Sequence, residues 1–212
     1  MGFEVFDFRK DIRNVVIEPG IRARFMRLEP GEVAQAHTHD LGQEVFLVLQ
    51  GQAEFEIEGH KEILGPGQMC FAAVDESHIC SCVGDEPMIM YLSVTPHIQP
   101  THTGRNPDGT RHPTAFQPSN SYDVATDTET PIDELIDKFT AAASTLAQTA
   151  RDNAEIQKKN NAQLKAALAA DDEDQASAIR AEMWEGVCQS YKQIDAMGDL
   201  WNDLTPRAGK LG

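Results

Sequence analysis

The sequence has no long apolar run and few basic residues. No stretch approaches the ~20 consecutive apolar residues of a membrane-spanning helix, so we expect no membrane association. Basic residues number 18 against 34 acidic ones among 212, which gives a formal net charge of -16. Phosphate groups repel such a chain, so neither nucleic acid nor an anionic membrane surface is an expected partner.

Signals for secretion and for disulfide formation are also missing. The first residues, from Met1 to Asp7, include acids where a secretory signal would have a basic patch and an apolar core. We therefore expect the protein in the cytoplasm. The four cysteines lack zinc-finger spacing, and we interpret Cys70 and Cys188 as reduced thiols packed like small apolar groups.

The segment from Gly31 to Gly51 contains the residues with the most chemical meaning. His37 and His39 are two positions apart, so an extended strand would direct both imidazoles to the same face. Glu44 follows a short turn and begins an apolar, β-branched run typical of a buried strand. A hairpin here would return Glu44 to the histidines. Two imidazoles and a carboxylate suit a divalent transition metal.

His78 is the candidate for a fourth ligand. It follows a turn and begins a run that alternates polar and apolar residues, so His78, Cys80 and Cys82 should share one face. Donor softness and geometry admit Fe, Mn, Ni, Co or Zn as one divalent ion. The alternative is that the histidines only form hydrogen bonds inside a metal-free barrel.

These residues resemble the two sequence motifs of the cupin superfamily. The first motif is matched at every position, by Gly31, His37, His39, Glu44 and Gly51. The resemblance covers about residues 20–95. It implies a metal held by His37, His39, Glu44 and His78.

The second cupin motif is matched only in part. Gly67 and His78 stand at their places, but Ala73 replaces the proline and Asp75 the second glycine. Cys82 replaces the asparagine. The first two departures concern turn geometry, whereas Cys82 changes the polarity of the barrel wall.

The expected fold is mainly β. Many short strands between glycine-rich turns indicate a small antiparallel barrel or jelly roll, and the resemblance implies the double-stranded β-helix form of it. We assign residues 1–100 to this domain, with its core at 20–95. Residues 101–130, rich in proline and glycine, form either a linker across the outer wall or a lid over the barrel mouth.

A C-terminal helical hairpin is expected over residues 131–205. Thr130 is the predicted N-cap, followed by Pro131 at the first helical position. The second helix should bury one stripe, made of Ile179, Met183, Val187, Tyr191, Ile194 and Trp201. Such an arm needs a surface to cover it, and we favour a second subunit, which predicts a homo-oligomer and in the simplest case a homodimer.

The predicted pocket wall is apolar and rich in sulfur, with Phe46, Cys80 and Met90 as weak candidates for substrate contacts. Arg22 and Arg24 share one face of a predicted strand. If they point inward they could bind a carboxylate, but we favour a solvated strand face. No residue is assigned as a general base.

Two functions remain open. The first is a metal-dependent enzyme acting on a small organic molecule, either a dioxygenase or a lyase or isomerase, as the resemblance implies. The second is a cupin that binds a metal or a small ligand without turnover and docks a partner through its helical arm.

Overall fold

The computed structural model describes residues 2–106, 108–123 and 129–208. These residues form two compact units, one containing the strands and one containing the two long helices. Within the described residues, no helix is both long and apolar enough to cross a membrane.

The strand-containing unit consists of two antiparallel sheets with five strands each, which confirms the predicted antiparallel jelly-roll class. The strands of the first sheet are β1 (Asn14–Glu18), β2 (Ile21–Leu28), β4 (Gln43–Gln50), β7 (Met69–Ala72) and β9 (Met88–Thr95). Their spatial order is β1-β2-β9-β4-β7. The strands of the second sheet are β3 (His37–Thr38), β5 (Ala53–Ile57), β6 (His60–Leu64), β8 (His78–Cys82) and β10 (Thr103–Gly104). Their spatial order is β10-β3-β8-β5-β6.

Alternation along the strands gives the first sheet an inner face with a gradient of polarity. Residues paired across β2, β9 and β4 form three rows on this face, which we call rungs. The first two rungs extend to β7. The first rung contains Arg22, Val94, Glu44 and Ala72. The second rung contains Arg24, Leu92, Phe46 and Cys70. The third rung contains Met26, Met90 and Val48.

The apolar core lies toward the third rung, between the two sheets. Val48 and Met90 are completely buried there, and Phe46 of the first sheet packs on Phe55 of the second with ring centroids 5.0 Å apart. Full burial of each such side chain stabilises the fold by about 1.5–3 kcal/mol. The first rung, in contrast, places charged groups at the other end of the same interior.

The helical unit is an antiparallel pair, α1 (Ile132–Ala169) and α2 (Glu173–Leu204). Asp172 caps α2, because its Oδ1 accepts a hydrogen bond of 3.0 Å from the Gln175 amide. The predicted cap of α1 is wrong, since the N-cap position is Pro131 and forms no side-chain cap bond.

Within the single chain, only the start of the predicted stripe of α2 is buried. Ile179 is buried, but Tyr191 and Ile194 are 69% and 48% exposed. Residues four apart advance by about 40° beyond a full helical turn, so a row of three such steps drifts about 120° away from the starting face. The buried face instead continues through Gly186, where a Cβ would lie 2.6 Å from Asn153 Oδ1 of α1.

Candidate metal site and its cavity

His37 and His78 are brought together by the second sheet. They are paired directly across β3 and β8, with imidazole centroids 4.4 Å apart and Nε2 atoms 3.2 Å apart. Directly paired residues direct their side chains to the same face of a sheet. Both rings therefore point to the interior, as the sequence predicts for His78.

Glu44 reaches these histidines from the opposite sheet. The predicted hairpin is wrong: β3 is only two residues long and belongs to the second sheet, whereas β4 belongs to the first. The chain crosses between the sheets after His39. Gly42 lies in this crossing, close to the backbone carbonyl of Pro96.

The four predicted ligands form one cluster. The Nε2 atoms of His39, His78 and His37 lie 2.9, 3.0 and 3.7 Å from Glu44 Oε2. One potential ligand atom from each residue lies within 4.8 Å of the others. The side chains of Glu44, His39 and His78 are 2–3% exposed, and that of His37 is 21% exposed. The cluster is thus buried with one side open.

Backbone carbonyls fix the orientation of all three imidazoles. His37 Nδ1 donates to the carbonyl of Gln35 at 2.8 Å, and His78 Nδ1 donates to that of Glu76 at 2.9 Å. His39 Nδ1 donates to the carbonyl of Thr101. Because a carbonyl oxygen only accepts, each Nδ1 must carry a hydrogen, and in a neutral ring Nε2 is then a bare lone pair.

Three lone pairs and a carboxylate therefore converge on one point. Neutral imidazoles in this arrangement would face each other and Glu44 with no hydrogen between them, which is unfavourable. Either second protons on the rings or a metal cation would resolve the repulsion. A nitrogen and carboxylate set oriented through backbone contacts is the donor set that divalent transition metals prefer, so the residues fit such an ion.

The charge of Glu44 is maintained despite its burial. Burial would raise the pKa of this carboxyl group, but hydrogen bonds donated by Nε2 of His37, His39 and His78, when these rings carry their second protons, outweigh the effect of burial. The pKa is held well below its usual range, and the side chain is an anion at neutral pH. A carboxylate rather than a carboxylic acid is what a cation requires.

The turn before β8 has Asp75 at the place where the second motif has its second glycine. Asp75 adopts a φ of 65°, in the left-handed region that glycine favours and that aspartate tolerates. Its amide donates to the His39 carbonyl at 2.9 Å. The turn thereby holds His39 close to the strand that begins with His78, and the departure at position 75 leaves the cluster intact.

The irregular segment after β9 completes the site. Thr101 supplies the carbonyl that orients His39, and β10 pairs with β3 so that Gly104 lies opposite His37. The imidazole of His102 lies 4.7 Å from that of His37 and 4.9 Å from that of His39 between ring centroids. Whether any of this segment moves as a lid stays a prediction.

A cavity of about 580 Å³ opens beside the cluster. The three pocket residues predicted from the sequence, Phe46, Cys80 and Met90, all line it. Burial raises the pKa of Cys80 to about 12, with a smaller contribution from Glu44. Cys80 is therefore a neutral thiol that contributes an apolar wall.

Two arginines also line this cavity, contrary to the favoured interpretation of them as a solvated face. Arg22 is 3% exposed, and both Arg22 and Arg24 contribute to the lining. Side-chain alternation along β2 indicates the inward position of both arginines. Met26 and Leu28 lie on the same face of the strand, and this face continues into the apolar core.

The cavity-lining residues of the irregular segment, in contrast, had no signal in the sequence. They are His102, Gly104, His112, Pro113, Ala115 and Gln117. The segment has neither helical nor strand periodicity over most of its length, so spacing does not indicate which residues face inward.

Comparison with known proteins agrees with this geometry. Residues 24–95 match the cupin domain family. This part of the chain is a cupin domain. It has the two-sheet cupin fold, followed in this protein by the helical pair. No curated protein matches the sequence.

Three solved structures that resemble this chain each cover less than half of it. A protein with a double-stranded β-helix domain from Klebsiella pneumoniae is 23% identical, with a TM-score of 0.43 over 45% of this chain and 91% of the other. KdgF from Halomonas sp. is 25% identical, with a TM-score of 0.38 over 41% and 78%. A DMSP lyase from Ruegeria pomeroyi is 24% identical, with a TM-score of 0.39 over 44% and 47%.

Proposed function

We propose that this protein is a metal-dependent enzyme that acts on a small organic molecule, as a dioxygenase or as a lyase or isomerase. The observation that carries the proposal is the convergence of three imidazole lone pairs and one carboxylate at the wall of a cavity of about 580 Å³. A cavity of this size is suited to a small organic ligand. The cation and the ligand would then be in contact.

The proposed ligands are the Nε2 atoms of His37, His39 and His78 and the carboxylate of Glu44. The carbonyls of Gln35, Thr101 and Glu76 hold the rings in the required tautomer and orientation. When bound, Fe, Mn, Ni, Co or Zn would supply Lewis-acid activation of a carbonyl or, for a redox-active metal, activation of oxygen.

The cavity walls contribute binding and exclusion of water. Phe46, Cys80 and Met90 present apolar surface to a substrate, and Cys80 remains protonated at neutral pH because of its burial. A dry wall strengthens the interaction of a charged site with its ligand, since the local dielectric constant is low.

Metal analysis of the purified full chain, together with turnover assays, tests this proposal. We expect about one equivalent of a divalent transition metal for each chain, since the four donors define one site. Oxygen uptake would be followed with small diketones, phenols and hydroxy acids, and products formed without oxygen would be followed by NMR. Metal-dependent conversion in either assay supports the proposal. A chain that binds no divalent ion at micromolar concentration contradicts it.

One observation favours the alternative, a cupin that binds its ligand without turnover. His102 is the imidazole nearest to the cluster, but its Nε2 lies 3.4 Å from Arg22 Nη2 and its Nδ1 lies 3.0 Å from Thr101 Oγ1. Burial, followed by the charge of Arg22, lowers its pKa well below the usual range. A ring held in the neutral form in this way is a poor general base, and none of the other residues is assigned to that role. Saturable ligand binding with no product from any compound would select this alternative.

A further inference from the structure

The cavity has a charge balance opposite to that of the whole chain. Acidic residues outnumber basic ones by 34 to 18 in the sequence, yet the lining contains Arg22 and Arg24 against the single carboxylate of Glu44. With neutral imidazoles the lining already has an excess of positive charge, and a divalent cation would increase it. An anion entering this cavity would be attracted even though the protein as a whole repels anions.

Neither guanidinium group has a full set of partners. In the described part of the chain, Arg24 forms no side-chain hydrogen bond or ion pair, and its Nε is buried without a partner. Arg22 has Glu44 at 3.7 Å and His102 at 3.4 Å, but its Nε is also buried and unpaired. Burial lowers the pKa of both guanidinium groups. The charge of Glu44 on Arg22, and those of Asp123 and Glu44 on Arg24, offset only part of this effect. A buried, weakly paired cation is costly unless an anion joins it.

The arrangement of the two arginines indicates the chemical class of that anion. Arg22 and Arg24 alternate with Ala23 on β2, so both face the cavity, about 7 Å apart along the strand. A guanidinium group matches a carboxylate through paired hydrogen bonds. Arg22 belongs to the rung of Glu44, and Arg24 belongs to the next rung, beside Leu92.

We propose that the cavity binds a small organic carboxylate through Arg22 and Arg24. The carboxylate lies beside Glu44 at the metal end, and the apolar body extends along Leu92 and Met90 toward the third rung. The polarity gradient of the inner face sets this orientation. The assignment rests on the proposed function, because it names the class of molecule that would meet the metal.

The test compares a carboxylate with its uncharged counterpart in the full chain. Hexanoate and hexanamide, with inorganic phosphate as a third probe, would be titrated into protein labelled with 13C at the methionine methyl groups. Met26 and Met90 line the cavity and report binding there. Every titration would be done with metal-loaded protein and again after chelation, since a bound cation also attracts carboxylates.

The variants are Arg24→Gln and Arg22→Gln, with Arg27→Gln as the matched control. Arg27 is on the same strand with opposite parity, is exposed and pairs with Glu29 at 2.8 Å. We expect hexanoate to bind at least about tenfold more tightly than hexanamide, with or without metal. Arg24→Gln should remove most of that preference and Arg27→Gln should leave it unchanged. Arg22→Gln should act like Arg24→Gln, and its metal content is measured separately because Arg22 approaches Glu44.

Each outcome decides between the two proposals. The carboxylate assignment is overturned if hexanoate and hexanamide bind equally tightly, or if Arg24→Gln and Arg27→Gln have equal effects. In either case, a chain that still binds a metal leaves the proposed function standing. Tighter binding of phosphate than of hexanoate also overturns it. A carboxylate preference in a chain that binds no metal supports the carboxylate assignment and contradicts the proposed function.

Discussion

Gly42 packs directly against Val94, and a Cβ atom at position 42 would lie 2.8 Å from Val94 Cγ1. The same Cβ would lie 3.0 Å from the Pro96 carbonyl oxygen. The crossing that carries Glu44 from one sheet to the other therefore fits only a residue without a side chain. Two residues later the chain must place a carboxylate among three imidazoles.

Replacement of Gly42 by alanine should disturb the site through this contact. We expect Gly42→Ala to lower the free energy of unfolding by about 1–3 kcal/mol, the usual cost of overpacking, and to weaken metal binding by displacing Glu44. Gly65→Ala is the matched control, because the nearest atom to a Cβ at position 65 would be Gln68 Oε1, at 3.7 Å. Chemical denaturation and metal titration measure both effects. Equal behaviour of the two variants would show that the crossing tolerates a side chain.

Replacement of His39 by alanine should remove the metal. His39 is the proposed ligand that the Thr101 carbonyl of the irregular segment orients, and the remaining two imidazoles would leave an incomplete donor set. Metal content should fall from about one equivalent to a small fraction. The melting temperature should fall with it, since a ligand at 100 times its Kd stabilises the fold by about 2.7 kcal/mol.

His60→Ala is the control for that experiment. His60 is exposed at the start of β6 and belongs to no cluster of potential ligands within the described residues. Mass spectrometry of the metal content and calorimetric melting would be done on both variants. Retention of the metal by His39→Ala would refute the ligand assignment.

Stability should decrease on mild acidification because of His97. Burial, with the charges of Arg22 and His39, lowers the pKa of this ring from 6.5 to about 4. Between those values the unfolded chain binds the proton and the folded chain does not, so the free energy of unfolding falls as the pH falls from 6.5 to 4. One proton corresponds to at most about 1.4 kcal/mol for each pH unit.

The variant His97→Gln should show a shallower slope over this pH range, whatever its stability at neutral pH. His60→Gln should retain the slope of the unmodified chain. Urea denaturation at intervals between pH 4 and 7 measures the slope of the unfolding free energy against pH. Burial also lowers the pKa of His102, and this residue should account for the slope that remains in His97→Gln. Parallel curves for His97→Gln and the unmodified chain would contradict the prediction.

The helical pair leaves apolar side chains in solvent, which bears on the prediction of a homo-oligomer. Trp184 and Tyr191 are 62% and 69% exposed on α2. If a second subunit covers them, the double change Trp184→Lys and Tyr191→Lys should yield a single chain of 23.4 kDa by light scattering. The double change Gln175→Lys and Ser177→Lys adds the same charge on the same helix and should leave the oligomer intact. A monomeric unmodified chain would make the prediction wrong.

The sequence predicted those parts of the fold in which local pattern decides the outcome. The strand predicted to contain Arg22 and Arg24 is present as β2, Ile21–Leu28. Its side-chain alternation over a few positions specifies which residues share a face. The residue types and spacing of the two motifs likewise predicted which four side chains form the cluster, although the route by which they meet is not local.

Other parts depend on packing that no local pattern encodes. The crossing after His39 replaced a predicted hairpin, because membership in a sheet is decided by partners distant in sequence such as His78 and Gly104. The same limit applies to the contribution of Thr101 and His102 to the site. Arg22 differs from its expected position for another reason: strand parity directs it inward, although buried arginine is rare and arginine usually prefers solvent.

The four side chains of the cluster are unevenly exposed, which leaves one edge open to solvent. Glu44, His39 and His78 are sealed from bulk water, and only the side chain of His37 is 21% exposed among the four. An ion that binds to the proposed site would therefore enter and leave along the His37 edge. Changes at the three sealed positions should act on how tightly the site retains an ion, whereas changes at His37 should also act on how quickly it fills and empties.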